Sequence, residues 1–291
     1  MKIEYFRFLL SPVKEPMLPL HEKKTREQII EDIFRIDRDA YKFENGRATY
    51  GYVSLSRDEK MIYGRLGKLS SKKLHSSPEK KFQEKNEEDW PGCKVFINLS
   101  DEKDSGRTFE MGQMIAIEVN KSAIMNNTNA LRALADHINK SIVDNGYHIA
   151  INPVLTSKKG FWAVVNEHKG EIKKVVLSYT PPNLFNLKNK LEDDLKEANK
   201  TFNTTSTQIV LENDAGELVL PENNPLLDQS AQYIDAGSGS YSIQLKNGKK
   251  VIKSEAGVKT ETFNGLELTI GGQSSEVVAK LMKTVLSGKD E

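Results

Sequence analysis

Short apolar or alternating runs, rich in aromatic and β-branched residues, recur along the first half of the chain and constrain its fold more than any other feature. Such runs predict β-strands. Two amphipathic stretches interrupt them and predict helices. Residues 25–41 begin with the N-cap candidate Thr25 and carry Gln28 three residues later, as a capping box requires. Residues 127–146 space their apolar side chains by three and four. Many strands with few helices predict an α+β fold built on mainly antiparallel sheet. The predicted strands are residues 2–10, 46–55, 60–69, 92–99, 108–119 and 147–155.

One stretch between these strands has a different composition. Residues 70–90, SSKKLHSSPEKKFQEKNEEDW, contain almost no apolar side chains and many charges. Without apolar periodicity, neither face of a strand or helix can be assigned to a core. The stretch therefore predicts a solvated loop with a frayed helix.

A length of 291 residues favours two compact domains. The polar connection TSKKG, residues 156–160, predicts the boundary between an N-terminal α+β domain, 1–157, and a C-terminal α+β domain, 158–291. In the second domain the sequence predicts a hairpin at 161–182, helices at 183–202 and 224–237, strands at 207–212 and 265–270, a basic hairpin at 240–253 and a last helix at 274–286.

The net charge of +1 makes a uniformly basic surface impossible. Residues 1–160 hold 27 Lys and Arg against 23 Asp and Glu, and the remaining residues hold 15 against 18. Any nucleic-acid surface must therefore be local. A single cysteine, Cys93, rules out an intrachain disulfide and a cysteine-based zinc site. The first residues lack the apolar core of a signal peptide, and no apolar run is long enough to cross a bilayer, so we expect a cytoplasmic protein without membrane insertion.

Glycines at positions 237 and 239 raise the question of a phosphate-binding loop. Such a loop needs glycines between a strand and a following helix, where backbone N–H groups hold the anion. Here a predicted helix enters the glycines and a predicted strand leaves them. We therefore interpret the glycines as the end of a helix followed by a turn.

Metal-dependent nuclease chemistry is a second interpretation of the same region. Asp235, Gln244 and Lys246 occur in the order of the nuclease core PD-(D/E)xK, in which two oxygen ligands hold Mg²⁺ or Mn²⁺ and the lysine assists the attacking water. Glu171 and Lys173 form another partial match, which shows how degenerate the pattern is. Outside this alternative, no cofactor is predicted.

Local positive charge on the hairpin at 240–253 is the third interpretation. Asn247 and Gly248 are a strong signal for a two-residue turn. A basic two-stranded ribbon fits a DNA groove and can follow phosphates. Lysines on an edge strand also protect it from aggregation, which is the competing explanation. The predicted DNA-contacting residues are Lys246, Lys249, Lys250 and Lys253 on the ribbon, with Lys158 and Lys159 at the domain junction.

The order of these elements resembles a known family. The strand YHIAINPVLT is followed by FWAVVNEHKGEIKKVVLSYTPPN, and NGRATYGYVSL, WPGCKVFINL and ELTIGGQSSEVVAKLMKTVL precede or follow in a similar order. This layout resembles the A component of the phage lambda Rex exclusion system and related bacterial proteins found near defence genes. The resemblance implies a soluble two-domain protein that binds double-stranded DNA as a homodimer in anti-phage defence, without being an enzyme. It supplies no catalytic residues.

Three functions therefore follow from the sequence. The first is a DNA-binding protein in phage exclusion, and the second is the metal-dependent nuclease. The third is an interaction subunit of a defence complex, whose partner is another subunit or a phage protein. A membrane or effector protein is a further candidate partner. An exposed apolar patch between the domains would favour the third function.

Overall fold

The structure is a computed structural model that describes residues 1–12, 24–57, 61–99, 114–141, 147–156, 160–181, 190–246 and 251–262. Within these ranges the chain forms two antiparallel sheets, a separate two-stranded hairpin, and helices that pack on the sheets. The α+β fold predicted from the sequence is confirmed. The predicted strand at 265–270 and helix at 274–286 lie outside the described residues.

The strands follow the chain in this order: β1 (Lys2–Pro12), β2 (Tyr41–Asn45), β3 (Ala48–Arg57), β4 (Met61–Lys68), β5 (Ser70–His75), β6 (Glu84–Asp89), β7 (Gly92–Asn98), β8 (Met114–Glu118), β9 (Tyr147–Pro153), β10 (Ile172–Tyr179), β11 (Thr207–Glu212), β12 (Gly239–Leu245), β13 (Val251–Lys253) and β14 (Thr260–Thr262). The helices are α1 (Arg26–Ile33), α2 (Asn127–Ser141), α3 (Phe161–Glu167), α4 (Lys190–Phe202) and α5 (Pro225–Tyr233).

The first sheet has the strand order β14-β1-β8-β7-β4-β3-β2 among the described residues, and β9 pairs with the second half of β1. Helices α1 and α2 bury their apolar sides against one face of this sheet, where they share a core with strand residues such as Phe8 and Tyr52. The Phe34 ring makes edge-to-face contacts with the rings of both Phe8 and Tyr52. The periodicity that predicted both helices therefore reflects burial on this face.

Helix α1 begins as predicted but ends early. The Thr25 side chain accepts a hydrogen bond from the backbone N–H of Gln28, and the Gln28 side chain accepts one from the Thr25 N–H, which confirms the capping box. The helix ends at Ile33, and Tyr41 already starts β2. The predicted helix is therefore too long. Ile36 fits the amphipathic pattern, but it is 47% exposed and does not pack in the core.

The prediction of a loop and frayed helix at 70–90 is wrong. Residues 70–75 and 84–89 form β5 and β6, which pair antiparallel from Ser70 with Asp89 to His75 with Glu84. Every residue of both strands is exposed. Because neither face is buried, the strands carry no alternating apolar pattern, and the sequence lacks the usual signal for a strand. We call residues 70–89 the hairpin arm.

The second sheet has the order β11-β10-β12-β13 among the described residues, and its inner face packs on α3, α4 and α5. The sequence predicted a hairpin at 161–182, but only its second strand exists, as β10. Residues 161–167 form α3 instead. Phe161 and Val165 are both buried, as positions one helical turn apart can be, and this packing overrides the β propensity of the segment.

The two sheets meet along β1 and the segment that follows β9. Strand β14 returns from the second sheet to pair with the first residues of β1. The Arg7 guanidinium, on β1, donates to the Ser238 hydroxyl, and the Ser11 hydroxyl donates to the Pro181 carbonyl at 3.0 Å. The two sheets lie on either side of the predicted boundary at 157/158, except for β14, which crosses back to the first sheet.

None of the helices in the described ranges combines the length and the apolar composition that a membrane crossing requires.

Candidate nucleic-acid interface

The basic ribbon predicted from the sequence is formed by β12 and β13. Ser242 pairs with Lys253 and Gln244 with Val251, and β13 is the last strand in the order of the second sheet. Lys246 and Lys253 are both exposed. The other predicted DNA contacts lie outside the described residues: Lys249, Lys250, Lys158 and Lys159.

Alternation along β12 divides its side chains between two faces of the sheet. Tyr241, Ile243 and Leu245 are buried in the second core, whereas Ser242 and Gln244 are partly exposed on the opposite face. Lys253 stands opposite Ser242 in the register and therefore shares this outer face. Other residues of the outer face, placed by register, are Gln208, Val210, Glu212, Lys174, Val176, Ser178, Ser240 and Val251.

Lys246 is held at the end of β12 by its backbone and by its side chain. Its N–H donates to the Glu171 carbonyl at 2.7 Å, and its Nζ lies 3.5 Å from Glu217 Oε1. The aliphatic part of the side chain lies directly over Gly216, whose φ of +76° requires a glycine in any case. The Lys246 side chain is 41% exposed, so its ammonium group still reaches solvent.

Carboxylates among residues 212–217 form ion pairs with the lysines next to the ribbon and so offset their positive charge. Lys174 Nζ lies 2.9 Å from Glu212 Oε2, and Lys173 Nζ lies 3.5 Å from Asp214 Oδ1. Exposed ion pairs of this kind contribute about 0–1 kcal/mol, so a polyanion can exchange with the carboxylate. Within the described ranges Lys253 has no carboxylate at ion-pair distance, so no ion pair there competes with a ligand for its ammonium group.

Asp235 lies in the turn of π-helix, Ile234–Ser238, that follows α5. Its Oδ1 accepts a hydrogen bond from the Phe161 N–H at 3.2 Å, and its carboxylate lies against Gly160. Burial raises the pKa of this carboxyl from 3.8 to about 6, and the hydrogen bond from Phe161 opposes that rise. Asp235 therefore caps the first turn of α3 and joins it to the helix that precedes β12.

The structure does not bring together the residues of the nuclease alternative. Asp235 precedes the first residue of β12 and Lys246 follows the last. The seven residues of β12, a strand about 20 Å long, lie between them in the chain. Gln244 points to the outer face, whereas Asp235 contacts Phe161 in the second core. No group of three potential metal ligands among His, Cys, Asp and Glu exists in the part of the chain that the structure describes.

Cys93 and His137 are packed in the core or against aromatic rings. Cys93 is buried, and burial raises the pKa of its thiol to about 11. His137 packs against the rings of Tyr41 and Phe43, and burial lowers its pKa.

One feature with functional potential was not identified from the sequence, namely the hairpin arm. Its tip carries Lys80, Lys81 and Phe82, and Phe82 is 62% exposed. The signal in the sequence was Pro78 within SSPEKK, a turn-forming residue inside a charged stretch. A turn at that point would have predicted a hairpin without any apolar face.

Comparison with known proteins found no matching family model, no matching curated protein and no matching solved structure.

Proposed function

We propose that the protein binds double-stranded DNA through the phosphates, with the ribbon lysines Lys246, Lys249, Lys250 and Lys253 as contacts. The observation that carries the proposal is the position of Lys253 on an edge strand, exposed and without an ion-pair partner in the described ranges. Lys246 stands at the same ribbon, with only a weak surface ion pair to displace. A two-stranded ribbon is narrow enough to approach a DNA groove.

The form of the outer face supports binding rather than catalysis. Its side chains are small, polar or β-branched, and the carboxylate that could have held a metal, Asp235, is engaged with Phe161 in the second core, on the other side of the sheet from Gln244. Phosphate contacts are independent of base sequence. The protein should therefore bind duplexes of unrelated sequence with similar affinity.

The test is an anisotropy titration of a labelled 30-base-pair duplex at 50 and 200 mM salt. The four ribbon contacts alone give a slope of about −3.6 in log K against log salt, so the affinity should fall at least about 150-fold over this range. Changing the four ribbon lysines to Glu should abolish binding at both salt concentrations.

The matched control changes four exposed lysines elsewhere to Glu, which alters the net charge by the same amount: Lys2, Lys121, Lys140 and Lys169. This variant should keep most of the affinity at 200 mM salt, where charges far from the contact are screened. Equal losses in the two variants would show a general charge effect and remove the ribbon as the contact surface. No binding by the unaltered protein at 50 mM salt would refute DNA binding itself.

We further propose that the protein acts in phage exclusion as a homodimer. The support is the resemblance of the order of its sequence elements to that of the lambda Rex A component and related proteins. A bacterial host expressing the protein should reduce plaque formation by a sensitive phage, and the four-lysine variant should not. Sedimentation of the purified protein at twice the monomer mass would support the dimer, and sedimentation at the monomer mass would contradict it.

A further inference from the structure

The hairpin arm is anchored at its root and free along its length. The Leu69 N–H donates to the Thr49 carbonyl at 2.8 Å, and the Lys68 N–H donates to the Pro91 carbonyl at 3.0 Å. The Trp90 ring closes the root, packing against Gly51. Beyond this point every residue of β5 and β6 is exposed, so the arm extends from the body of the protein by about 20 Å, at about 3.4 Å per residue.

The arm leaves the first sheet at the end opposite to the second sheet. It continues from the pair Gly67 and Gly92, whereas Asn98 marks the other end of β7. Through the register of β7 with β8 and of β8 with β1, Arg7 lies level with Asn98. Arg7 contacts Ser238, directly before β12 of the second sheet, so the arm leaves from the end of the first sheet opposite to this contact.

The tip of the arm has a defined conformation. The Phe82 N–H donates to the Ser77 carbonyl at 3.4 Å, and the Ser76 N–H donates to the Gln83 carbonyl at 3.0 Å. Lys81 and Phe82 both adopt positive φ, at 57° and 51°, which is unfavourable for residues other than glycine. This turn holds Phe82 in solvent and directly beside two lysines, although an exposed aromatic ring gives no stability to the fold.

Charge is separated along the arm. The outer part, residues 72–85, carries five lysines and two glutamates, a net charge of +3, whereas Glu87, Glu88 and Asp89 lie at the root. Lys73 pairs with Glu84 at 3.2 Å and Lys85 with Glu87 at 2.7 Å, so these two lysines are compensated. Beyond these pairs the tip, residues 76–83, carries Lys80 and Lys81 against Glu79, a net charge of +1. Four residues of strand, about 14 Å, separate the root carboxylates from the tip, which exceeds the Debye length of about 8 Å at physiological salt.

We propose that the arm is a second DNA-binding element, whose tip enters a groove of the duplex. Phe82 acts as an apolar wedge at a base-pair step, and Lys80 and Lys81 contact the flanking phosphates. The proposal rests on the DNA binding proposed above. Its supports are a free two-stranded ribbon of groove width, an exposed aromatic ring at its end, and cations beside that ring. A protein partner fits less well, because lysines are depleted in the cores of protein interfaces.

Acidic residues at the root define how far the arm enters. Glu87, Glu88 and Asp89 would face phosphates if the ribbon lay along the groove over its full length. Repulsion restricts contact to the part of the arm beyond the pair Lys72 and Glu87, which includes the turn with Lys80 and Lys81. The arm should therefore kink the duplex at one step rather than cover several base pairs.

The experiment uses the full chain with a 30-base-pair duplex that carries 2-aminopurine at successive positions. The unaltered protein should raise 2-aminopurine fluorescence at one or two steps, because a wedge unstacks the base. Phe82→Ala should remove this signal and weaken binding about tenfold or more. Leu74→Ala, a change of another exposed apolar residue on the arm, should keep both the signal and the affinity.

Two further variants test the lysines and the arm as a whole. The double variant Lys80→Glu and Lys81→Glu should reduce the salt slope by about 1.8, the value for two phosphates. Replacing residues 73–86 by Asn-Gly joins Lys72 to Glu87, which already pair in the register, through a two-residue turn. This shortened protein should keep its thermal unfolding transition, because the exposed arm makes no part of either core.

The outcomes separate this proposal from the one before it. If the unaltered protein does not bind the duplex, DNA binding fails altogether. If it binds, and the shortened protein binds with the same affinity, salt slope and fluorescence, the arm proposal is wrong and the ribbon proposal stands. Unchanged DNA binding with a change from dimer to monomer on shortening would overturn the proposal and assign the arm to contact between protein subunits.

Discussion

Replacing Asp235 by Asn should stabilise the protein at neutral pH, although the side chain makes a native hydrogen bond. The folded-state pKa of about 6 exceeds the ordinary value of 3.8 by about two units. Folding therefore favours the protonated carboxyl, and the stability that Asp235 contributes is complete below pH 4 and is lost as the pH rises through 6. Asn is neutral at every pH, and its Oδ1 can still accept from the Phe161 N–H.

The size of the effect follows from the two pKa values. Proton linkage gives a penalty for the charged form of about 1 kcal/mol at pH 4.5 and about 3 kcal/mol at pH 8. The variant should thus gain stability over the unaltered protein, and this gain should grow by about 2 kcal/mol between the two pH values. All other titrating groups are shared by the two proteins and cancel in the difference.

Urea denaturation at pH 4.5, 6 and 8, followed by circular dichroism, measures the free energies of unfolding. The control is Asp214→Asn, whose side chain is 95% exposed, so that no comparable growth with pH is expected. A gain that does not change with pH would show that burial of charge at Asp235 is not the cause. A loss of stability at pH 8 would show that the ionised carboxylate stabilises the start of α3.

Two further predictions concern the backbone. Thr25→Ala should remove the cap of α1 and lower the free energy of unfolding by about 1 kcal/mol, whereas Thr25→Ser should not; urea titration distinguishes them. Gly237→Ala should cost more than Gly170→Ala in thermal unfolding, although both glycines have a φ of +82°. A Cβ at Gly237 would lie 2.9 Å from Arg7 Cβ, whereas none of the neighbouring heavy atoms lies within 4 Å of one at Gly170. Equal losses of about 1 kcal/mol in the two variants would show that the residues around Gly237 shift to accommodate the added methyl group.

The elements that sequence reasoning found are those whose local pattern agrees with their burial. The capping box at Thr25 and the apolar side of α2 are local properties, and both are present in the structure. Where burial and local propensity disagree, the prediction was wrong. Residues 161–167 have strand-forming side chains, yet they form α3 because Phe161 and Val165 pack together into the second core.

The candidate site divides in the same way. The sequence identified the ribbon because Asn247-Gly248 and the neighbouring lysines are local signals, and the described part of the ribbon, β12 with β13, forms as predicted. Sequence order also suggested that Asp235 and Lys246 could cooperate. It could not reveal that Asp235 is engaged with Phe161, since that contact joins residues 74 positions apart.

By itself, the amino-acid sequence determined the α+β class, the positions of most strands and the local charge of the ribbon, because periodicity and turn chemistry act over a few residues. Only the tertiary structure decided that β14 returns to β1, that α3 is a helix and that residues 70–89 form a free arm. Each of these depends on which distant surfaces are buried or left in solvent. For the arm this is clearest, since a hairpin with two exposed faces has no hydrophobic pattern for a sequence to show.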